Sequence, residues 1–242
     1  MDPALAARRF VEPVLAVVFP SACPACGRAL SAPGRGPLCE PCWGSLPRHA
    51  GAACACGLPL AGGGAAACGR CRRGRQPFAA GASLGPYEGP LRVAVQQLKY
   101  HGRRRAAARL AAFLLEDESV RRLVATSDVL VPVPLHPRRL RERGYNQSAL
   151  LAAELARLTG RPVHEAALVR RRDTAPQAGR SAAERRRNVA GAFVVRRRGA
   201  VDGRVVTVID DVLTTGATAR DCARALSGAG AFEVRLVTAA RA

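Results

Sequence analysis

Val205-Val-Thr-Val-Ile-Asp-Asp-Val-Leu-Thr-Thr-Gly-Ala-Thr218 decides how the chain is read. An apolar run fit for a buried strand, Arg204 to Ile209, ends on two acids. A Thr/Gly turn follows, and a helical pattern runs from Ala217 to Ala229. Each part has a physical task. The strand places Asp210 and Asp211 at the carboxyl edge of a sheet, where open α/β folds bind ligands. The turn, Thr214, Thr215, Gly216, Ala217 and Thr218, exposes consecutive backbone N–H groups and hydroxyls at a helix N-terminus, an anion site for a phosphate. Gly216 permits close backbone approach. Two carboxylates would repel a lone phosphate. They make sense if they hold the hydroxyls of a sugar whose far end carries the phosphate. The plainer alternative is that the acids cap the helix.

Around this elbow, elements alternate. Leu91, Val95 and Leu98 recur at helical spacing and end at Lys99-Tyr100-His101-Gly102. A second helix is predicted from Arg104 to Leu115, and a buried strand over Asp128–Pro134. A long helix should run from Leu140 to Thr159, closed by Gly160. Phe193–Arg196 and Phe232–Thr238 read as strands. Strands and helices alternating at these lengths imply an α/β domain with a mainly parallel sheet. Lys99 closes a helix, where a cation suits the dipole, with a ligand contact as the alternative. Tyr145 and Asn146 come after a Gly at a turn into a helix and read as structural, or as shaping the loop before them. The four histidines share no spacing and read as surface residues.

Eight of nine cysteines lie between residues 23 and 71. Cys23-Pro-Ala-Cys26 is followed by Cys39-Glu-Pro-Cys42, and Cys54-Ala-Cys56 by Cys68-Gly-Arg-Cys71. Such paired knuckles let two sulfurs face one ion at ~2.3 Å, and four thiolates leave no open coordination position, so structural Zn²⁺ is expected. A disulfide framework would suit a secreted chain, and no convincing export signal is present. The second pair is irregular, because one residue separates Cys54 from Cys56. Ligands could also interleave between the sets. Little apolar sequence lies between residues 23 and 76, so metal should supply most of that region's folding free energy. Cys222 reads as a small buried hydrophobe.

The chain has 242 residues, which at ~150 per domain suggests one or two domains. Arg72–Pro77 reads as a linker, giving an N-terminal helix and double ribbon over 1–76 and the α/β domain over 77–242. Ala4–Phe19 reads as a short helix packed on the next domain. No stretch approaches the ~20 apolar residues of a membrane span, and a cytoplasmic protein is expected. Lys and Arg number 38 against 18 acids, a net charge of +20. Lys99 is the only lysine and Ile209 the only isoleucine, the mark of a GC-rich genome. Codon bias explains Arg for Lys but not the scarcity of acids, so a positive field that attracts phosphates or nucleic acid is inferred.

Ile209 to Thr218 resembles the phosphoribosyl-pyrophosphate signature of type I phosphoribosyltransferases. Nearly the whole chain resembles the ComF/GntX-type family. The stretches that carry this are the cysteine-rich N-terminus, Leu98-Lys-Tyr-His-Gly102, Val131-Pro-Val-Pro-Leu135, Arg141-Glu-Arg-Gly-Tyr-Asn-Gln147, Gln177, Glu184-Arg-Arg-Arg-Asn-Val189 and Ala192-Phe193. Cys54-Ala-Cys56 departs from the family's two-residue gap, and Arg180 stands where an apolar residue is common. The resemblance implies a double zinc ribbon followed by a phosphoribosyltransferase domain. It implies a pyrophosphate loop after Pro134 carrying Arg138, Arg139, Arg141 and Arg143, and a hood over roughly 170–188 with Arg185 on the pyrophosphate. It also implies Asp210 and Asp211 on the ribose hydroxyls, directly or through Mg²⁺. Three functions are in view. One is transfer of phosphoribosyl to an unidentified acceptor. Another is an adaptor for single-stranded DNA, partnered by a helicase-like DNA-uptake protein. The third is a non-catalytic sensor of phosphoribosyl pyrophosphate.

Overall fold

The computed structural model describes residues 22–31, 36–49, 51–60, 67–74, 78–172 and 191–242. The expected helix at 4–19, and Arg180 and Arg185 of the expected hood, lie outside the described residues. Four strands form a parallel sheet: β1 (Ala80–Pro86), β2 (Val129–Pro132), β5 (Val205–Leu213) and β6 (Glu233–Arg241), in the order β1-β6-β5-β2. A separate antiparallel pair joins β3 (Leu168–Arg170) to β4 (Phe193–Val195). Phe193–Val195 is therefore a strand as expected, but it lies outside the parallel sheet.

Both faces of the sheet are buried, as parallel sheets require. Leu84, Leu130, Ile209 and Val237 point into one core with α3 (Gly89–Tyr100), α4 (Ala106–Glu116), α5 (Glu118–Ala125) and α7 (Gln147–Thr159). Val129, Val131, Val206, Val208 and Leu236 point the other way, against α8 (Ala217–Gly228) and the β3–β4 pair. The predicted helix over 140–159 divides in two. Gly144 adopts φ +78° and ends α6 (Pro137–Arg143), and Asn146 caps α7 by accepting from the Ser148 amide at 3.0 Å. β5 runs four residues past Ile209, because its ladder with β6 continues through Asp210↔Thr238 to Leu213↔Arg241.

The ribbons do not build a core of their own. The first holds the short helix α1 (Glu40–Gly44) and the second α2 (Gly69–Arg72). Leu30, Leu38, Trp43 and Leu46 of the first join the core of α3–α5, and Cys54, Cys56 and Cys68 of the second join the core of α8. Trp43, in α1, stacks on Phe113 at 5.8 Å, and Arg109 forks onto Glu40 at 2.7 and 2.9 Å. Docking thus shares the work of folding with metal. Backbone contacts complete the joint. The Gly81 amide donates to Ala55 O at 2.7 Å and the His49 amide to Leu84 O at 3.2 Å, so the ribbons cover the outer edge of β1. Gly81 and Gly85 allow this approach. A Cβ at Gly81 would stand 2.9 Å from Cys56 O, and one at Gly85 would overlap Pro47 O. Gly85→Ala is expected to cost about 1–3 kcal/mol through this overlap, a fall in Tm of about 2–4 °C per kcal/mol. Thermal unfolding followed by circular dichroism reads it, and an unchanged Tm would show that the joint yields freely.

Candidate ribose-phosphate site and metal centres

A cavity of about 720 Å³ opens at the carboxyl edge of the sheet. Its walls come from the C-terminus of α3, the loop after β2, helix α6, the end of β5 and the elbow into α8. The two acids divide there. Asp211 is buried at 3% exposure, and its Oδ2 pairs with Lys99 Nζ at 2.9 Å. Burial opposes the charge of Lys99, but the Asp211 carboxylate, with Asp210 beyond it, wins and holds the ammonium above its ordinary pKa. Asp210 is half-buried. Its Oδ1 accepts from Ser148 Oγ and from the Asp211 amide, both at 2.9 Å. Removal from water, then the neighbouring charge of Asp211, pushes its pKa up to about 7. Neither acid caps α8; the cap position is Gly216.

Gly216 takes φ +71° and brings no side-chain acceptor to the helix start. The Ala217 amide makes a long contact to Thr215 Oγ1 at 3.4 Å, and the first turn of α8, the positive end of a 12-residue helix, lines the cavity. Arg220 folds back to donate to Thr215 O at 3.0 Å and fixes the turn. Thr214, Gly216, Ala217 and Thr218 line the cavity; Thr215 sits within the same turn. Across from them, Val133, Pro134 and Leu135 form the loop after β2. Asn146 Nδ2 holds this loop through Val133 O at 3.0 Å.

Of the five arginines expected in the pyrophosphate loop and hood, Arg139 and Arg143 line the cavity, and Arg141 is exposed and does not line it. Arg143 donates to Gln147 Oε1 at 2.5 Å. Arg138 is exposed and does not line the cavity; it pairs at 2.9 Å with Glu142, which does. Arg185 lies outside the described residues. Arg170 is a cavity residue that the pattern of basic runs did not separate from its neighbours. It is 9% exposed, with its guanidinium 5.5 Å from the Phe193 ring. Ser148 carried no signal in sequence, and Gln147 only as the end of the Arg141–Gln147 stretch. Lys99 carried one, as the chain's single lysine.

The cysteines sort without interleaving. The sulfurs of Cys23, Cys26, Cys39 and Cys42 lie within 4.8 Å of one another, as do those of Cys54, Cys56, Cys68 and Cys71. The short Cys54-Ala-Cys56 spacing still converges. Gly57 turns at φ +76°, and the Cys68 amide donates to Cys54 Sγ at 3.3 Å. Four soft thiolates at tetrahedral reach suit structural Zn²⁺. No helix among the described residues is long and apolar enough to cross a membrane.

Residues 14–72 match the double zinc ribbon domain family. The chain is 36% identical over 202 residues to the DNA utilization protein YhgH of Salmonella typhi, covering 82% of this chain and 88% of that one. It is 32% identical over 163 residues to Competence protein F of Haemophilus influenzae, covering 66% and 71%. The chain belongs to the ComF/GntX-type family. Two solved structures resemble this ComF-family chain at 24% identity and a TM-score of 0.41. They are the allosteric regulatory enzyme of purine biosynthesis and the glutamine phosphoribosylpyrophosphate amidotransferase of B. subtilis, and each match covers 60% of this chain and 30% of the other.

Metal analysis of the purified chain is expected to find two zinc ions; one would show that the irregular second set stays empty. Asp210 binds its proton more tightly in the folded chain than in the unfolded one. Its contribution is therefore full below the ordinary carboxylate range and is lost as pH rises toward about 7. Asp210→Asn should melt above the wild type at pH 8 by a larger margin than at pH 5. Equal margins at both pH values would show that the acid is not strained.

Proposed function

We propose that the domain over 77–242 binds phosphoribosyl pyrophosphate and transfers phosphoribosyl to an acceptor. One observation carries this reading. The N-terminal turn of α8, the half-buried Asp210 and the cations Arg139 and Arg143 all line one cavity. The 5′-phosphate sits on the elbow, where helix amides and threonine hydroxyls bind an anion without further charge. Asp210 accepts from the ribose diol. Asp211 is the buried counter-ion that keeps Lys99 at the cavity. The acid pair expected to act alike thus has two duties.

In the transfer, the bond from the anomeric carbon to pyrophosphate breaks, and a bond to the acceptor's nucleophilic atom forms. Arg139 and Arg143 stand where negative charge grows on the leaving group and stabilise it electrostatically. Among the described residues no set of three or more acidic ligands converges. Mg²⁺ would therefore arrive with the pyrophosphate, Asp210 being the carboxylate placed to meet it, and would neutralise that group's charge.

A second reading has its own observation. His101 to Arg105 is an exposed tract with three successive arginines, and α6 carries four more with no buried residue. This basic rim beside the cavity suits single-stranded nucleic acid, in keeping with the DNA-related names of the relatives. Such binding should fall linearly on a log–log plot of affinity against salt, and a flat plot would remove it.

Isothermal titration with phosphoribosyl pyrophosphate and Mg²⁺ should give heat and a raised Tm. Asp210→Asn should weaken that affinity at least tenfold, with the fold intact. No heat with the wild type would end the proposal. Asp210→Asn is cleaner than a double variant, because replacing Asp211 also strands Lys99.

A further inference from the structure

Tyr100 is the last residue of α3, and 64% of its surface is exposed. Of the other two tyrosines, Tyr145 is buried and donates its hydroxyl to Leu98 O, and Tyr87 lines the same cavity but is half-buried. Exposure alone says little, since Phe232 is exposed more, at 77%. Position and company distinguish Tyr100. Its ring lines the same cavity as the elbow and Asp210, whereas Phe232 precedes β6 at the opposite edge of the sheet. Two cations stand against the ring. Arg143 Cζ is 5.4 Å from its centroid and Lys99 Nζ is 5.9 Å.

Both cations are held from elsewhere, Arg143 by Gln147 Oε1 and Lys99 by Asp211. The ring is thus an open aromatic surface on a fixed cationic frame. It stands one lysine head group away from the acid pair at the ribose position. A ring so placed favours a flat, electron-rich partner, which stacks on the exposed face while the nearby positive charge strengthens the contact.

We infer that Tyr100 is the stacking platform of a second subsite, which takes a nucleobase carried on a phosphorylated ribose or deoxyribose. The inference deepens the ribose-phosphate reading and rests on it. The sugar phosphate occupies the elbow and Asp210, and the base extends toward α3 onto Tyr100. The same ring chemistry comes from two sources, a free nucleotide or a base within a single strand whose phosphates track along Arg103 to Arg105. In either case Tyr100 recognises the π-face, so it discriminates weakly between bases.

The test compares four probes by isothermal titration: ribose 5-phosphate, AMP, a ten-residue oligothymidylate, and its abasic counterpart at equal salt. In the wild type, AMP should bind at least tenfold more tightly than ribose 5-phosphate, or the oligothymidylate at least tenfold more tightly than the abasic strand. Which pair separates identifies the source. Tyr100→Ala should abolish that gain and leave ribose 5-phosphate unchanged. Tyr100→Trp should keep the gain, and Phe232→Ala should not touch it. Equal binding within both pairs, or a Tyr100→Ala chain that keeps the gain, overturns the inference. It also fails if Tyr100→Ala weakens ribose 5-phosphate as much as AMP, because the ring would then support the sugar pocket alone. A wild type that ignores ribose 5-phosphate removes the ribose-phosphate reading itself, and the subsite with it.

Discussion

A carboxylate that water barely reaches needs a cation, and near the end of β5 that cation is Lys99. The pair joins the C-terminus of α3 to the central strand of the site, two elements that no hydrogen-bonded ladder connects. Removing one partner of a buried pair strands the other's charge, typically at about 3–5 kcal/mol. The contact therefore sets the floor of the cavity as well as its charge. It also explains why adjacent acids behave differently. Asp211 is paired with Lys99 within the protein, whereas Asp210 has no cation of its own at ion-pair distance among the described residues, and burial, then the charge of Asp211, raises its pKa. A ligand hydroxyl or cation reaching Asp210 finds a group that gains from being met.

The elbow completes this arrangement with fixed dipoles in place of charge. Its amides are aligned by α8; Gly216 carries no side-chain acceptor, and Thr215 Oγ1 takes only a long contact, 3.4 Å, from the Ala217 amide. Arg139 and Arg143 line the same cavity from α6. A helix start, a half-buried carboxylate and guanidinium groups thus share one cavity, the groups that the proposed phosphorylated sugar with a charged leaving group would meet.

Much of this was legible in the residues. The elbow was readable because strand, turn and helix signals abut without a gap and each has one meaning. The sets of four cysteines were readable because knuckle spacing reflects the reach of a sulfur around an ion. Other parts were not. β1, Ala-Gly-Ala-Ser-Leu-Gly-Pro, has almost none of the branched and aromatic residues that announce a strand. Its small residues answer to the ribbon backbone lying against it, which is a tertiary demand. The pattern over Leu140–Thr159 reads as one helix even though Gly144 marks a turn before Tyr145 and Asn146; the positive φ of Gly144 ends α6 there. The division of labour between Asp210 and Asp211 depends on where Lys99 arrives from, more than a hundred residues earlier, and no local pattern encodes that meeting.

The covering of β1 has a consequence for the molecule as a whole. Between Ala80 and Pro86 there is no charged residue, and the outer backbone groups of that strand are occupied by the ribbon loops at Ala55 and His49. Those loops keep their shape through the cysteine sets. A chain stripped of metal would uncover an uncharged sheet margin, open to a strand from another molecule. Metal supply would then govern whether the protein stays dispersed or self-associates.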